Sequence, residues 1–361
     1  MEAVHYNRVS PELIEQFKKI VPGKVHTAED INEDYSHDEM PIYGKGYPDV
    51  LIEATTTEDI AAIVKLCYEN NIVVIPRGAG TGLVGAAVAI HGGVMIDMTK
   101  MNKILEYDLE NFVVRVEPGV LLQDLAEDAL KQGFLYPPDP GEKLATLGGN
   151  VATNAGGMRA IKYGTTRDYV RAMTVVLPTG EIIKLGATVS KTSTGYSLIN
   201  LMVGSEGTLG IITELTLKLI PAPTETISLI IPYETLDGCI STVPKLFLNH
   251  LDPQAIEFFE KEIIMVSERF IGRAVYPKEV EGVEVGAYLL LTFDGESMDI
   301  LEEVTEKAAE IALEAGAVDV LVADTPAKKK DAWAARSSFL EAIEAETILL
   351  DERRPDRKSV V

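Results

Sequence analysis

A glycine-rich stretch directly behind an apolar strand pattern places the strongest restriction on how this chain folds. Residues 78–85 contain four glycines in eight positions and follow the apolar residues 72–75. Glycine has no Cβ, so such a stretch adopts backbone angles that other residues avoid and leaves its N–H groups accessible. The pattern predicts a loop that cradles a phosphate or pyrophosphate. The function then depends on which nucleotide the loop binds.

The last three glycines of this loop match the dinucleotide fingerprint, and Asp97 lies where that motif has an acid for the ribose. A Rossmann unit, however, needs a helix of several turns after its third glycine. Residues 86–92 are too short for such a helix and run into the strand pattern of residues 94–98. The loop is therefore predicted to bind phosphate without a Rossmann crossover. The main sequence argument for a nicotinamide cofactor is then lost.

Two further glycine clusters follow along the chain. Residues 147–157 hold four glycines and two asparagines, and residues 204–210 hold three glycines. Segments of this kind offer backbone donors with little side-chain bulk, against which a flat ligand can lie. Tight surface turns are the alternative explanation, which a single cluster leaves open. Three clusters in one domain favour a ligand.

Strand and helix patterns divide the chain at residues 221–223, where two prolines favour an extended linker. Before this point, residues 49–54, 56–67 and 72–75 predict a βαβ unit, and the chain then continues mainly as strands and turns. After it, the patterns follow the order strand, helix, strand, strand, helix, strand. That is the ferredoxin-like order, and a longer helix is predicted next, over residues 327–345.

Composition excludes several classes of protein. The 56 acidic and 33 basic residues give a formal net charge of -23, which repels the phosphates of nucleic acid. No apolar segment approaches the roughly 20 residues of a membrane span, and no signal-peptide pattern opens the chain, so a soluble, cytoplasmic protein is expected. The two cysteines and five histidines show no metal-ligand spacing, so no metal site is predicted.

These features together resemble the FAD-linked oxidase family, whose FAD domain is of the vanillyl-alcohol-oxidase or PCMH type. Within the family, the sequence is most similar to the glycolate oxidase and D-lactate dehydrogenase branch. Residues 77–83, 136–140, 148–157 and 204–212 match the family's cofactor motifs in chain order. The resemblance implies an α+β fold, in which a two-subdomain PCMH-type FAD-binding domain precedes an incomplete ferredoxin-like α/β substrate domain.

The expected domain boundaries follow from this resemblance and from the proline linker. An N-terminal arm spans residues 1–45, and the FAD-binding domain spans residues 46–221. The C-terminal domain of the FAD-linked oxidases spans residues 222–351, and residues 352–361 form an atypical tail.

The resemblance implies FAD as the cofactor, with its pyrophosphate on the first glycine loop and its isoalloxazine between the two later glycine segments and the second domain. Backbone N–H groups suit a flavin because they stabilise its reduced, anionic form. For Glu206, a solvated loop acid is an equally good interpretation. The predicted cofactor-binding residues are Pro76, Arg77, Gly78, Ala79, Gly80, Thr81, Gly82, Leu83, Pro138, Asp139, Gly148, Gly149, Ala152, Asn154, Gly156, Glu206, Gly210 and Ile212.

A Trp-x-x-Arg segment supplies the candidate substrate residue. Trp333 and Arg336 match it, and the resemblance implies that Arg336 clamps the substrate carboxylate, a task that suits a planar two-donor side chain. The alternative is an arginine on a helix face beside Asp331 and Glu341.

Related enzymes also hold a divalent metal and a catalytic histidine on a segment that would follow this sequence, so those ligands are not in the chain. Residues 353–361 form a basic tail unlike the family's continuation. This change predicts a truncated or frame-shifted copy.

The predicted activity is FAD-dependent oxidation of a D-2-hydroxy acid of the D-lactate or glycolate class. A general base would take the hydroxyl proton while the Cα hydride passes to flavin N5, and the electrons would go on to a protein acceptor such as an electron-transfer flavoprotein. Without the downstream histidines, slow turnover of D-lactate is expected. A non-catalytic flavin-binding subunit of an electron-transfer complex is one alternative. The other is an NADPH-linked reductase, as in the cell-wall precursor reductases of this superfamily.

Overall fold

The computed structural model of the chain describes residues 5–39, 44–323 and 325–352. These described residues form two compact units, one within residues 1–157 and 164–222, the other within residues 158–163 and 223–361. Up to residue 163 the elements are α1 (Pro11–Ile20), β1 (Val25–Thr27), β2 (Val50–Glu53), α2 (Thr57–Glu69), β3 (Val74–Arg77), β4 (Val94–Asp97), β5 (Ile104–Asp108), β6 (Val113–Val116), α3 (Leu122–Lys131), β7 (Phe134–Leu135), α4 (Leu147–Thr153) and α5 (Ala160–Tyr163).

The remaining elements belong to the end of the first unit and to most of the second. They are β8 (Val170–Val176), β9 (Ile182–Gly186), α6 (Leu198–Met202), β10 (Ile211–Lys218), β11 (Ile220–Pro221), β12 (Glu225–Tyr233), α7 (Leu236–Leu248), β13 (Ala255–Glu260), α8 (Lys261–Ile271), β14 (Glu279–Val280), β15 (Val283–Glu284), β16 (Ala287–Gly295), α9 (Met298–Glu314), β17 (Leu321–Ala323), α10 (Pro326–Ser337) and α11 (Phe339–Glu352).

A four-stranded sheet with the order β1-β2-β4-β3 opens the first unit. Strands β2 and β3 both pair with β4 in parallel, which confirms the predicted βαβ unit. Alternate residues of β2 face opposite sides: Val50 and Ile52 pack under α1 and α2, whereas Leu51 packs with Met95 on the other face. The first glycine loop follows β3, so it begins at the carboxyl end of this parallel sheet.

A second, antiparallel sheet of five strands completes the first unit, in the order β5-β6-β10-β8-β9. Its strands β8 and β9 form a hairpin across the turn at residues 178–180. Besides the two-stranded β7–β11 pair, the unit therefore holds two larger sheets of different type, and the predicted two-subdomain architecture is confirmed.

The second glycine cluster differs from its prediction as an open backbone segment, because residues 147–153 form α4. Thr146 is the N-cap, and its hydroxyl accepts a hydrogen bond from the Gly149 N–H at 3.4 Å. Asn154 ends the helix in the left-handed conformation, with φ of 49°. Glycine lowers helix propensity, so the caps and the buried Leu147 and Val151 stabilise this helix.

The second unit is built on a four-stranded antiparallel sheet with the order β13-β16-β12-β17. Numbered along the chain, this is the 2-3-1-4 order of the ferredoxin-like fold, as predicted. Helices α7 and α9 pack on one face against residues such as Leu229 and Leu289. Helices α8 and α10 pack on the other face, against Ile230 and Tyr288. Because both faces are covered, the central strands β12 and β16 are almost continuously buried.

Several details of the second unit differ from the predictions. Helix α8 and the β14–β15 hairpin, between β13 and β16, were not predicted. The single helix predicted over residues 327–345 is two helices, α10 and α11, with a break at Ser338. The Ser338 hydroxyl donates to the Ala335 carbonyl at 3.1 Å, a local side-chain bond that competes with helix continuation.

One short segment packs with the second unit, which was also not predicted. Residues 158–163 lie within the stretch assigned to the FAD-binding domain, yet they cluster with the second unit. Lys162 donates to Asp294 at 2.6 Å, and the Tyr163 hydroxyl donates to the same carboxylate. The Asp294 side chain is 1% exposed, so this ion pair is anchored in the interior of the second unit.

Candidate functional site

Arg77, the last residue of β3, holds the first glycine loop of the site in position. Its guanidinium donates to the carbonyls of Asp34 at 2.9 Å and Ala87 at 3.3 Å. A Cβ on Gly80, whose φ is +80°, would lie 2.2 Å from an Arg77 nitrogen. Burial lowers the pKa of Arg77, and nearby acidic groups offset part of that effect. Arg77 therefore positions the loop through backbone contacts.

The N-terminal segment, predicted only as a packing arm, also shapes this loop. The Asp38 carboxylate, 4% exposed, accepts from the Gly85 N–H at 2.6 Å. The Glu39 N–H donates to the Gly82 carbonyl at 3.1 Å. These two bonds hold the C-terminal half of the loop, so the first unit needs its N-terminal residues to form the site.

Close backbone approach joins the first loop to α4. A Cβ added to Gly78 would lie 2.2 Å from the Thr146 hydroxyl oxygen, and one added to Gly148 would lie 2.6 Å from the Pro118 Cβ. Neither distance is possible for a real Cβ without movement of the neighbours. Glycine is required at both positions because two segments touch there.

The third glycine cluster binds the carboxyl end of α4. The N–H groups of Gly204 and Glu206 donate to the carbonyls of Val151 at 3.0 Å and Ala152 at 2.9 Å. Glu206 has φ of 52°, a conformation that non-glycine residues rarely adopt outside turns and functional sites. The three glycine clusters thus meet at α4.

An open cavity of about 460 Å³ lies where the clusters meet, entirely within the first unit. This volume falls in the range of small-molecule and cofactor sites. Of the predicted cofactor-binding residues, those that line it are Pro76, Arg77, Gly78, Ala79, Gly80, Thr81, Gly82, Leu83, Gly148, Gly149, Ala152, Glu206, Gly210 and Ile212.

Four residues predicted to bind the cofactor do not line this cavity: Pro138, Asp139, Asn154 and Gly156. Asp139 is buried and accepts from Lys143 and from the Gly141 N–H. The Asn154 side chain accepts from the Arg167 N–H at 3.0 Å and from the Thr165 hydroxyl at 3.2 Å. Both side chains thus have structural partners in the loops that flank the cavity.

Sequence reasoning missed several lining residues. The Thr146 position had a readable signal, since a threonine before an apolar residue is a common N-cap. Nothing in the local pattern singled out the others, which reach the cavity through the packing of distant segments. The main residues missed are Pro118, Thr146, Asn150, Ser205 and Gly207.

A second cavity of about 360 Å³ adjoins the first. Both are lined by Pro76, Gly207, Gly210 and Ile211, and a Cβ on Gly207 would lie 2.7 Å from the Pro76 ring. The second cavity is mainly apolar and is flanked by Tyr6 and Tyr68. The first unit therefore presents two neighbouring cavities that share lining residues around Pro76 and Gly207.

Asp97 has no free carboxylate for a ribose. It is 1% exposed, and its two oxygens accept from the Tyr35 hydroxyl and from the Thr99 N–H, both at 2.8 Å. Burial, with the bond to Asp97, raises the pKa of Tyr35. Because both Asp97 oxygens already have protein partners, the structure agrees with the rejection of a Rossmann site.

Arg336 lies on α10 in the second unit, and its side chain is 29% exposed. Its Nε donates to the Glu257 carboxylate at 2.8 Å, and its guanidinium lies 5.1 Å from the centre of the Phe339 ring. Within the described part of the chain, the two terminal nitrogens of Arg336 have no hydrogen-bond partner. This geometry leaves a planar two-donor end that is suited to a carboxylate.

The residues of the first cavity fit FAD. Glycine-lined backbone suits a pyrophosphate, and Arg77 is the one basic residue among the described residues that line the cavity, so backbone N–H groups would meet most of the phosphate charge. Across the described ranges, no group of three or more His, Cys, Asp or Glu side chains is placed to hold a metal ion, and no helix is long and apolar enough to cross a membrane.

The fold and the site define a flavin-binding oxidoreductase of the two-domain type. Residues 48–186 match the family model described as an FAD binding domain, and residues 222–352 match that of the FAD linked oxidases, C-terminal domain. The chain belongs to the FAD-linked oxidase family.

Curated relatives support this assignment. The chain is 71% identical over 352 residues to a D-lactate dehydrogenase of Anaerostipes hadrus, covering 98% of this chain and 74% of the relative. It is 38% identical over 325 residues to the glycolate oxidase subunit GlcD of Bacillus subtilis, covering 89% of this chain and 67% of the relative.

Solved structures show the same fold at low identity. An alkyldihydroxyacetonephosphate synthase matches with a TM-score of 0.76 and 22% identity over 94% of this chain, which spans 65% of that protein. A p-cresol methylhydroxylase matches with a TM-score of 0.74 and 19% identity, over 92% of this chain and 71% of the other.

Proposed function

We propose that this chain binds FAD in the cavity of its first unit and oxidises a D-2-hydroxy acid, with D-lactate as the leading substrate. The observation that carries the proposal is the convergence of three glycine clusters on one cavity in a chain 71% identical to a D-lactate dehydrogenase. The electrons pass on to a protein acceptor, for which an electron-transfer flavoprotein is the candidate.

Different segments of the chain bind different parts of the cofactor. The N–H groups of residues 78–82 bind the pyrophosphate, and α4 and Glu206 lie along the rest of the first cavity. When bound, FAD supplies the acceptor for the hydride that leaves the substrate carbon.

In the second unit, Arg336 binds the substrate carboxylate through its two terminal nitrogens. Glu257 and Phe339 hold the guanidinium in one plane, which orients the substrate before reaction. Oxidation also requires a group that takes the hydroxyl proton, and no described residue is assigned that role.

Two measurements on purified protein test the proposal. Its absorbance spectrum is expected to show bound flavin, and anaerobic D-lactate is expected to bleach the band at roughly 450 nm slowly, while L-lactate does not bleach it. A protein that binds no flavin contradicts the cofactor assignment. A flavin that D-2-hydroxy acids do not bleach, in a protein that purifies with a stoichiometric partner, would instead support a non-catalytic electron-transfer subunit.

The bond between Glu257 and Arg336 gives a prediction for substrate binding. Glu257→Ala removes the acceptor that holds the Arg336 Nε, so the Kd of D-lactate is expected to rise about tenfold with little change in the limiting rate of flavin reduction. Glu257→Gln keeps an oxygen acceptor and is expected to restore near-native affinity. Stopped-flow reduction over a range of D-lactate concentrations separates the two constants. Equal affinity in Glu257→Ala and the unaltered protein would contradict this role.

A further inference from the structure

The last turn of α10, which carries Arg336, is bonded to neighbouring elements through two buried carbonyl groups. The Ala335 carbonyl accepts a hydrogen bond from the Ser267 hydroxyl at 2.6 Å, and the Ala332 carbonyl accepts one from the Tyr276 hydroxyl at 3.1 Å. Both alanines are 0% exposed. Because residues three apart lie on the same face of a helix, the two bonds hold one face of α10 at two points about one turn apart.

The Ala335 carbonyl needs a partner from outside the regular hydrogen bonds of its helix. Helix α10 ends at Ser337, and the last four carbonyls of an α-helix have no N–H partner within it. The Ser338 hydroxyl donates to this carbonyl at 3.1 Å and lies 2.8 Å from the Ser267 hydroxyl oxygen. Ser267 is 0% exposed and lies on α8. The end of α10 is therefore completed by a side chain from a different helix.

The two donors to α10 are themselves held in place. Glu268 follows Ser267 on α8 and is 8% exposed. Its carboxylate accepts hydrogen bonds from the N–H groups of Val275 and Tyr276, both at 2.8 Å. Burial raises the pKa of Tyr276, so its hydroxyl keeps its proton and remains a donor. Helix α8 and the segment after it thus support α10 from fixed positions.

The position of this turn determines where the guanidinium of Arg336 points. Arg336 directly follows Ala335, so any rotation or shift of the turn moves the guanidinium. A bidentate bond requires both of its N–H donors to meet the two carboxylate oxygens, and a misplacement of about 1 Å can cost on the order of 100-fold in rate.

We infer that Ser267 and Tyr276 are positioning residues for substrate binding. Their hydroxyls fix α10 so that Arg336 presents its two terminal nitrogens to the substrate carboxylate. The inference rests on the proposed function, in which Arg336 binds that carboxylate.

Ser267→Ala and Tyr276→Phe each remove one of the two hydroxyls. In anaerobic stopped-flow experiments, each is expected to raise the Kd of D-lactate about fivefold and to leave the limiting rate of flavin reduction within about twofold, because only the binding geometry changes. Tyr276→Phe keeps the buried ring, so it tests the inference even where Ser267→Ala folds poorly. Unchanged D-lactate affinity in either folded variant overturns the inference.

A double variant separates positioning of Arg336 from general damage to the second unit. When Ser267→Ala is added to Arg336→Gln, the ratio of the limiting rate to the Kd is expected to change by less than about twofold, because no guanidinium is left to misplace. A loss as large as the one that Ser267→Ala causes on its own would show that Ser267 acts on the fold alone, which contradicts the inference.

The matched control is Ser228→Ala, which also deletes a buried serine hydroxyl in the second unit. Ser228 is 1% exposed, and its hydroxyl oxygen lies 2.8 Å from that of Thr292. The control is expected to lower the thermal midpoint and to leave the Kd of D-lactate within about twofold. A rise as large as in Ser267→Ala would overturn the inference, since the loss of any buried hydrogen bond would then weaken binding.

Failure of the proposed function gives a different result. If D-lactate does not reduce the flavin of the unaltered protein, or if Arg336→Gln binds D-lactate as well as that protein does, the proposed function or the role of Arg336 is wrong, and the inference is overturned with it. Unchanged affinity in Ser267→Ala, together with a large loss in Arg336→Gln, overturns only the inference.

Discussion

Gly78→Ala is expected to weaken FAD binding by the first unit strongly. The new Cβ would lie 2.2 Å from the Thr146 hydroxyl oxygen and 3.3 Å from the Thr146 Cβ. Either the loop moves away from α4 or Thr146 abandons its N-cap bond to Gly149. Overpacking typically costs about 1–3 kcal/mol, and loss of a cap about 1 kcal/mol. The displaced loop no longer presents its N–H groups together, so we expect the Kd of FAD to rise about 100-fold.

Two further variants make this prediction specific. In Gly82→Ala, the nearest protein atom to the added Cβ is an Asp38 oxygen at 3.9 Å, so the stability of the ligand-free protein should change by less than about 0.5 kcal/mol. Gly78→Ala combined with Thr146→Ala removes the clashing oxygen. The double variant should therefore lose less stability than the sum of the two single variants. Additive losses in urea unfolding would show that the Gly78–Thr146 contact is not what requires glycine.

Arg336→Gln is expected to weaken substrate binding strongly. Each hydrogen bond between charged groups is worth about 1.5–3 kcal/mol, and a bidentate arginine supplies two of them. The Kd of D-lactate, measured from the concentration dependence of flavin reduction, should rise about 100- to 1000-fold. Arg336→Lys keeps the charge but loses the planar fork, so its affinity should fall between those of the glutamine variant and the unaltered protein.

Loss of Arg336 also leaves Glu257, whose side chain is only 18% exposed, without its ion-pair partner. A loss of D-lactate affinity could therefore come from a destabilised second unit. Arg336→Gln combined with Glu257→Gln removes that unpaired charge and should restore the thermal midpoint without restoring D-lactate affinity. Arg273→Gln is the matched control. Arg273 forms an exposed pair with Asp331 at 2.6 Å, and its loss should leave D-lactate binding unchanged. Affinity that returns in the double variant, or that stays within threefold in Arg336→Gln, would exclude a carboxylate role for Arg336.

Local patterns in the sequence were sufficient for the architecture. The continuous apolar runs of β12 and β16, the Thr56 cap of α2 and the proline linker are short-range signals. They yielded the βαβ unit and the ferredoxin-like order because each depends on neighbours within a few positions. The glycine clusters likewise indicated a backbone-lined site, since freedom from a Cβ is a property of the residue itself.

Long-range contacts decided the rest. The second cluster becomes the helix α4, although glycine disfavours helices, because its caps and buried face outweigh propensity. Asn154 bonds to a loop more than ten residues away, whereas the Asn150 amide, four positions earlier in the same cluster, is buried without a partner among the described residues. The side-chain type is identical in the two cases, and only the surrounding packing distinguishes them.

The sequence by itself thus determined the class of fold, the family and the three segments that build a nucleotide site. The tertiary structure alone decided which side chains within those segments face the cavity, and that residues 158–163 pack with the second unit. The physical reason is that backbone preferences are local, whereas the partner of a polar side chain is set by segments that meet only after folding.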